Sequence, residues 1–313
     1  MKGEFEFIDG IRRMFPVPDG MLGIGDDCAI LPQEQGMETL VSTDMLVEGT
    51  HFLMEDISPY RLGWKSAASN FSDIAAMGGE PAGCFLALAL PHKLPDGWEQ
   101  EFLRGLHDIS ERYGFPLLGG DTTSSPDRVC ICLTVLGRTA SGQSRRRSMA
   151  VPGDLVCTTG VLGDSAAGLE AILRKLPRTG VVPYLIDKHY LPQPRIEEGR
   201  MLAQTPGVHA MMDISDGIGS DLRHIMEESH VGAEIDTDRL PMSGEMRDFC
   251  SMYDLDPCRF AASGGEDYEL LFTVDPAAEA SLGVLHSVIG RITEGDRLVW
   301  KGTDSDYEGF RHF

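Results

Sequence analysis

The hydrophobic pattern of this chain alternates between two kinds of segment. Short, continuous apolar runs are typical of buried strands. In the first half they predict strands at residues 40–41, 83–90, 116–123 and 129–136. In the second half they predict strands at residues 155–159, 208–212, 233–236, 268–274, 287–292 and 297–300. The first run is expected to end at Ser42, and the third to break into a glycine turn at Gly119-Gly120.

Between these strands, apolar residues recur at helical spacing. The predicted helices span residues 4–15, 59–77, 98–113, 164–176 and 217–229. The second helix has an N-cap signal in Ser58-Pro59 and a stop signal in Gly78-Gly79. Because both halves mix strands and helices, the sequence predicts an α/β (α+β) fold.

The chain has 313 residues, which is enough for two domains of ordinary size. A polar stretch at residues 142–147 precedes the turn residues Pro152-Gly153-Asp154. We therefore place a domain boundary near residue 148, which gives predicted domains at 1–148 and 149–313.

Composition and charge narrow the classes of function. The chain has 49 acidic and 27 basic residues, a net charge of −22, so nucleic acid and anionic membranes are not expected partners. Its seven cysteines include no C-x-x-C pair and indicate thiols in a reducing compartment. The N-terminus lacks a signal-peptide pattern, and no apolar run approaches the roughly 18 residues of a membrane helix. We expect a cytoplasmic protein.

Acidic residues recur where strands and helices are expected to end. Ser42, Thr43 and Asp44 follow the first run, and the other segments are Gly25-Asp26-Asp27, Phe71-Ser72-Asp73, Gly119-Gly120-Asp121, Asp213-Ile214-Ser215-Asp216-Gly217 and Gly264-Gly265-Glu266-Asp267. Taken singly, each is more often a turn or a helix cap. If they converge, like charges repel by roughly 1 to 4 kcal/mol per pair, and the cluster requires a cation such as Mg²⁺. The set suggests a multi-metal phosphoryl-transfer site.

The helix that begins after Ser58 carries an unusual stripe of small polar residues. Its members fall at positions i, i+3, i+4 and i+7, and they are Ser66, Ser69, Asn70 and Asp73. One interpretation is a face exposed to solvent. The other is that small side chains let this helix approach the acidic cluster, where Asp73 supplies a further ligand.

Other common ligand motifs are missing from the sequence. The lysine-containing phosphate loop and the dinucleotide fingerprint do not occur, and neither an EF-hand nor a zinc spacing is complete. Arg145-Arg146-Arg147 is the single basic run. It either contacts a nucleotide phosphate, for which arginine geometry is well suited, or forms a solvated loop.

Taken together, the motifs resemble the thiamine-monophosphate kinase family, a branch of the aminoimidazole-ribonucleotide synthetase superfamily. The resemblance runs in order from residue 4 nearly to Phe313. The segments that carry it are Gly23-Ile24-Gly25-Asp26-Asp27-Cys28-Ala29, Val41-Ser42-Thr43-Asp44, Gly49-Thr50-His51-Phe52, Asn70-Phe71-Ser72-Asp73-Ile74-Ala75-Ala76-Met77-Gly78, Gly119-Gly120-Asp121-Thr122-Thr123, residues 159–168, Asp213-Ile214-Ser215-Asp216-Gly217 and Ser263-Gly264-Gly265-Glu266-Asp267-Tyr268-Glu269-Leu270.

The resemblance implies transfer of the γ-phosphoryl group of ATP to thiamine monophosphate, which gives thiamine diphosphate. It also implies a two-domain fold, in which an N-terminal α/β domain pairs with its copy in a homodimer and a C-terminal α/β domain closes the site. The acceptor is a phosphate monoester that is mostly ionised near neutral pH, so no protein base is required and no catalytic residue is assigned.

The resemblance also assigns roles to individual residues of this sequence. The implied ligands of several Mg²⁺ ions are Asp27, Ser42, Thr43, Asp44, Asp73, Asp121, Asp213 and Asp216. The implied ATP contacts are Gly120, Asp121, Arg147 and Ser215. The implied contacts to thiamine monophosphate are His51, Glu266 and Tyr307, where Tyr307 stands in place of a tryptophan of the family.

Other activities remain as alternatives. Selenophosphate synthesis and hydrogenase maturation are disfavoured, because Cys28 has no lysine nearby and the chain ends in His312-Phe313 rather than in cysteine. An aminoimidazole-ribonucleotide synthetase is the alternative enzyme. A non-catalytic regulator that binds Mg²⁺ and ATP is the alternative of another class, and it would not release ADP with any acceptor.

Overall fold

The structure is a computed structural model that describes residue 20 and residues 26–32, 36–303 and 305–309. The helix predicted at residues 4–15 and the last part of the tail, residues 310–313, lie outside the described residues. In the part of the chain that is described, two β-sheets form, one from each half of the sequence, and helices accompany both. The predicted fold class is confirmed.

Five strands within the described ranges form the first sheet, in the order β1-β2-β5-β3-β4. Their bounds are β1 (Ala29–Pro32), β2 (Met37–Val47), β3 (Glu80–Pro91), β4 (Leu117–Ser125) and β5 (Cys130–Ala140). β3 and β4 run parallel, whereas the other neighbours in this sheet are antiparallel. A parallel pair needs a crossover connection, which a helix between β3 and β4 supplies.

β2 is longer than the hydrophobic pattern indicated. It pairs with β5 over its whole length, from Met37 to Val47, so Ser42 and its two successors lie inside the strand rather than after it. Ladder hydrogen bonds use backbone groups, and they therefore continue where the side chains become polar.

The glycine turn predicted at Gly119-Gly120 was wrong. β4 continues through both glycines, which pair with Phe85 and Leu86 of β3 after a register shift at Leu118. An added Cβ at Gly120 would collide with the backbone carbonyl of Leu86, so the glycine permits close strand approach instead of a turn.

Two helices accompany the first sheet, α1 (Pro59–Ala76) and α2 (Trp98–Tyr113). The predicted N-cap of α1 is confirmed, since the Ser58 hydroxyl accepts a hydrogen bond from the amide of Arg61. Glycines let the two helix backbones touch: an added Cβ at Gly63 would collide with Phe102, and one at Gly105 would collide with Tyr60. α1 is thereby held between α2 and the sheet.

Six strands of the described chain form the second sheet, in the order β11-β8-β10-β6-β9-β7. Their bounds are β6 (Leu155–Thr159), β7 (Val208–Asp213), β8 (Gly232–Asp236), β9 (Leu270–Val274), β10 (His286–Thr293) and β11 (Leu298–Lys301). Each of them was predicted from its apolar run. β8 and β11 are parallel, and the other neighbours are antiparallel.

Two helices of the second half were predicted, α3 (Asp164–Leu173) and α6 (Ile218–Ser229). Four were not, namely α4 (Val182–Tyr190), α5 (Ile196–Gln204), α7 (Gly244–Tyr253) and α8 (Pro257–Ser263). These helices have seven to ten residues, so the apolar repeat completes too few turns to stand out.

α1 also contacts the second half of the chain. The indole nitrogen of Trp64 donates to the carbonyl of Pro192 at 2.8 Å. At the other end of the helix, Gly199 of α5 lies so close to the carbonyl of Ala75 that a Cβ would collide with it. α1 therefore joins the two sheets.

The domain boundary near residue 148 stays a prediction. The last strand of the first sheet ends at residue 140, and the first strand of the second sheet begins at residue 155.

Candidate functional site

Three carboxylates converge where the two halves of the chain meet. Asp27 precedes β1, Asp73 lies in the last turn of α1, and Asp213 ends β7. One oxygen of each lies within 4.8 Å of the others. We call these three residues the acid cluster.

The polar stripe of α1 faces inward, because Ser66, Ser69 and Asn70 are buried. The interpretation of this stripe as a face exposed to solvent was therefore wrong.

β2 contributes to the acid cluster through alternate residues. The Ser42 hydroxyl donates to Asp73 Oδ2 at 2.5 Å. Asp44 falls on the same face of the strand, and its charge is among those that act on Asp73. Thr43 points to the opposite face, where its hydroxyl lies 2.9 Å from that of Thr134. Its predicted role as a metal ligand through the side chain is not supported by this placement and stays a prediction.

Burial and the repulsion between carboxylates raise the pKa values of two members of the acid cluster, Asp73 and Asp213, and of the neighbouring Asp26. Burial is the largest cause for Asp213, and the charge of Asp27 is the next, which together raise its pKa to about 7. Burial, Asp213 and Asp27 raise the pKa of Asp73 well above its ordinary value. Asp26 also has a pKa raised to about 7, by burial and then by Asp27. A site with this charge balance favours a bound cation.

Arg147 is the one arginine of the basic run that reaches the acid cluster. Its Nε and a terminal nitrogen donate to the two oxygens of Asp27, at 3.2 and 2.6 Å, and its amide donates to Asp26 at 2.9 Å. Arg145 instead donates to the carbonyl of Ala203. Neither side chain belongs to a solvated loop. No sequence pattern showed that Asp26 would share the contact with Arg147.

The backbone amides of the segment after β7 form hydrogen bonds to a side chain of α6. Asp221 is buried and accepts hydrogen bonds from the amides of Asp216 and Gly217, at 3.2 and 2.9 Å. It therefore fixes the turn that holds Asp216 near the end of β7. Sequence reasoning missed Asp221, because an acidic residue in the first turn of a helix is ordinary.

Ser215 and Glu266 are joined through their backbones. The amide of Glu266 donates to the carbonyl of Ser215 at 2.7 Å, which ties the loop before β9 to the loop after β7. The carboxylate of Glu266 accepts from Lys65 of α1 at 3.0 Å. Burial is the largest single influence on Glu266 and raises its pKa. The Lys65 charge, His189, the hydrogen bond from Lys65 and His51 together outweigh burial, so the pKa lies below its ordinary value and the group stays ionised.

His51 lies in the loop after β2. Its Nδ1 accepts a hydrogen bond from the amide of Val47 at 3.0 Å, so Nε2 is the ring nitrogen left to donate. His51 also contributes to the low pKa of Glu266, which indicates that the two side chains lie on the same side of the site.

Gly120, Asp121 and Tyr307 lie elsewhere in the described structure. Gly120 and Asp121 belong to β4, the exposed edge of the first sheet. The ring of Tyr307 is buried edge-on against Trp300, with centroids 5.0 Å apart. Packing inside the second domain does not provide the open aromatic face that its predicted substrate role requires, and that role stays a prediction.

Two further features concern the expected cellular location, namely the state of the cysteines and the character of the helices. Every cysteine is free, and four of the seven are buried. Among the helices described, none has the length and the apolar character needed to cross a bilayer. The expected cytoplasmic location stays a prediction.

Comparisons with known proteins give the same relatives by sequence and by structure. Family models of AIR synthase related protein match residues 25–139 (N-terminal domain) and 151–301 (C-terminal domain). Thiamine-monophosphate kinase of Salmonella typhimurium is 41% identical over 305 residues, which cover 93% of this chain and 91% of that protein.

Solved structures extend the match. The structure of AaThiL complexed with AMPPCP and TMP is 34% identical, covers 99% of this chain and 97% of its own, and has a TM-score of 0.91. Thiamine monophosphate kinase of Aquifex aeolicus is 32% identical, with coverages of 96% and 97% and a TM-score of 0.85.

Proposed function

The chain belongs to the AIR synthase related family and, within it, to the thiamine-monophosphate kinases, and from this premise we propose that it transfers the γ-phosphoryl group of ATP to thiamine monophosphate. The products are ADP and thiamine diphosphate. The observation that carries the proposal is the acid cluster, in which both halves of the chain supply carboxylates to one point. The chemistry needs such a site, because both substrates are phosphate anions.

We propose Mg²⁺ as the cation of the acid cluster, and the donor set fits it. Asp27, Asp73 and Asp213 offer oxygen atoms only, and the hydroxyl of Ser42 adds a fourth beside them. Mg²⁺ prefers oxygen ligands and is usually held by a few carboxylates together with substrate phosphates. When bound, it neutralises the charge of the phosphates that react. Asp44, Thr43, Asp121 and Asp216 remain proposed ligands of further ions.

The protein's own residues then bind and orient the two substrates. Arg147 has a guanidinium beside the acid cluster, and we assign it to ATP together with Ser215. Gly120 and Asp121 lie apart from this point, on β4, and their contact with ATP stays a prediction. Glu266 offers an ionised carboxylate to the thiamine group, which carries a positive thiazolium ring. We assign His51 to the same substrate, because its Nε2 is left to donate and its charge acts on Glu266.

We propose no protein base for this reaction. The acceptor oxygen belongs to a phosphate monoester with a second pKa of about 6, so it is already ionised near neutral pH. The protein contributes by positioning the two phosphates in line and by offsetting their charge.

We also propose that the first sheet pairs with its copy in a homodimer. β4 is an edge strand, and its Leu117 and Leu118 are 46% and 52% exposed. Phe85 on the neighbouring β3 is 42% exposed. An exposed edge with apolar side chains is a ready surface for pairing. We expect a dimer by light scattering for the native chain and a monomer for Leu118→Asp; a monomer from the native chain would contradict this proposal.

The proposed activity is tested by incubating the purified protein with ATP and Mg²⁺, with and without thiamine monophosphate, and separating the products by chromatography. We expect thiamine diphosphate and ADP in equal amounts, and little ADP without the acceptor. Asp213→Asn should abolish most turnover, whereas Asp296→Asn, the same change in an exposed turn, should not. ATP that stays intact with the acceptor present would overturn the proposal.

A further inference from the structure

Lys65 is a fully buried lysine in the middle of α1, with an exposure of 0%. Lysine is almost never fully buried unless its charge is paired. Its ammonium donates to Glu266 Oε2 at 3.0 Å and lies 3.2 Å from Nε2 of His189. Both partners belong to the second half of the chain, so this contact crosses the junction between the two sheets.

The protonation of His189 follows from its neighbours. An ammonium group can only donate, so Nε2 accepts from Lys65 and the ring proton sits on Nδ1. Nδ1 lies 3.0 Å from the hydroxyl of Ser165 and 3.4 Å from Glu266 Oε2. Burial, and then the Lys65 charge, lower the pKa of His189 to about 3, so the ring is neutral. A neutral His189 therefore accepts a hydrogen bond from the ammonium of Lys65 and adds no second positive charge beside it.

The backbone around Glu266 is fixed by other residues. Asp267 accepts from the amides of Gly163 and Ser165, at 2.6 and 3.1 Å. Glu269 accepts from Arg195 at 2.6 Å. Glu266 itself has a φ of 62°, in the left-handed region that non-glycine residues rarely adopt, and these anchors hold it there. Lys65 is therefore needed for the carboxylate and not for the path of the loop.

One oxygen of the Glu266 carboxylate is bound by neighbouring side chains, while part of the side chain stays accessible to solvent. The contacts from Lys65 and His189 both go to Oε2, while 29% of the side chain stays exposed. Lys65 and Asp73 are eight residues apart on α1, which corresponds to about 12 Å along the axis. One helix thus carries a member of the acid cluster, Asp73, and the counter-charge of Glu266, Lys65, and it sets the spacing between them.

We propose that Lys65, seated on His189, is a positioning residue that holds the carboxylate of Glu266 in one orientation toward the thiamine group of thiamine monophosphate. This inference rests on the proposed function, because it names how that substrate is recognised. Lys65 does not touch the substrate and acts through Glu266 alone.

The test compares steady-state kinetics of the native chain and Lys65→Met, which keeps the length of the side chain but removes its charge. We expect the KM for thiamine monophosphate to rise about tenfold, as when a hydrogen bond to a charged group is lost, and the KM for ATP to stay within about twofold. Lys301→Met is the matched control, because it removes the lysine of an exposed pair with Glu234 and should change neither KM.

A double-variant cycle separates positioning from folding. Lys65→Met/Glu266→Gln leaves no unpaired charge in this contact, so it remains measurable if Lys65→Met alone unfolds. Because Lys65 acts only through Glu266, the double variant should have the same KM for thiamine monophosphate as Glu266→Gln. A further rise of several-fold in the double variant would overturn the inference.

The two failures are distinguishable. If the native chain forms thiamine diphosphate but Lys65→Met keeps its KM for thiamine monophosphate, the positioning role is wrong and the proposed function stands. If the native chain forms no thiamine diphosphate, both are wrong.

Discussion

Two groups of carboxylates lie beside α1, the acid cluster and Glu266, and their negative charge is balanced in different ways. The acid cluster brings Asp27, Asp73 and Asp213 together with fewer positive charges than negative ones, and the pKa values of Asp73 and Asp213 are raised. Glu266 lies beside Lys65, which belongs to the same chain, and its pKa is lowered. The first site is completed by a cation from outside. The second is complete when the chain folds.

This difference in charge balance indicates which kind of ligand each site binds. A cluster of repelling carboxylates gains most from a cation, and it therefore suits Mg²⁺ with the phosphates that Mg²⁺ carries. A carboxylate whose orientation is already fixed suits recognition of an organic group. Both depend on α1, because Asp73 and Lys65 are residues of one helix.

The largest expected effect breaks the acid cluster. Asp73→Asn keeps an oxygen for the Ser42 hydroxyl but removes one carboxylate. We expect turnover to fall by about 100-fold or more, the size of effect seen when one charge-stabilising group of an active site is lost. The measurement is the rate of thiamine diphosphate formation at saturating ATP and Mg²⁺.

The same variant should gain stability when no Mg²⁺ is present. Removing one of several buried, repelling carboxylates relieves the cost that raises the pKa of Asp73. Thermal unfolding without Mg²⁺ should therefore show a higher midpoint for Asp73→Asn than for the native chain. A lower midpoint would show that the carboxylate stabilises the fold and would contradict the contrast between the two sites.

A smaller effect is expected from breaking the second site, and it has the opposite sign. Glu266→Ala leaves the ammonium of Lys65 fully buried without its counter-charge, which costs about 3 kcal/mol of folding stability when a buried pair loses one partner. Lys65→Met should cost less, because the Glu266 side chain it leaves behind is 29% exposed and keeps contact with water. Chemical denaturation measures both.

The matched control is Glu234→Ala. It removes the acid from an exposed pair with Lys301, and exposed pairs contribute less than about 1 kcal/mol. Equal losses in Glu266→Ala and Glu234→Ala would show that burial of Lys65 is not what makes its pair matter.

The last expected effect is a pH dependence of stability that His189 produces, which is absent near neutral pH and grows as the pH falls. The folded pKa of about 3 lies below the ordinary value of 6.5, so between these pH values the unfolded chain binds a proton that the folded chain does not. Stability from this group is present above about pH 6.5 and falls by about 1.4 kcal/mol for each pH unit below it. Lys65 and Glu266 are the charged groups that face the ring.

His189→Gln provides the comparison, since glutamine can still accept from Lys65 but does not titrate. Denaturation of both proteins between about pH 6.5 and pH 4.5 should show the native chain losing stability faster as pH falls. Parallel curves would mean that His189 is not held neutral by its surroundings.

The sequence predicted local structure well where a long or continuous pattern carried it. The six strands of the second sheet and the bounds of α2 followed from apolar runs and helical spacing, and the Ser58 cap of α1 followed from its residue types. The short helices of the second half gave too few turns for a repeat to emerge. The end of β2 was placed too early, because side chains do not decide where a backbone ladder stops.

The acid cluster was partly predictable and the pair at Glu266 was not. Asp27, Asp73 and Asp213 belonged to recognisable motifs, and the family resemblance proposed them as a set before any geometry was known. Lys65 has its partners 124 and 201 positions away, so no spacing in the sequence connects them. Only the packing of α1 against the second half of the chain brings these charges together.

The most direct test of the account is the initial rate of thiamine diphosphate formation over a grid of Mg²⁺ and thiamine monophosphate concentrations, for the native chain, Asp73→Asn and Lys65→Met. We predict that Asp73→Asn loses most of its rate and requires more Mg²⁺, with little change in its need for thiamine monophosphate. Lys65→Met should require more thiamine monophosphate at an unchanged half-saturating Mg²⁺ concentration. If both variants shift the same dependence, the two carboxylate sites do not serve separate ligands and the account is wrong.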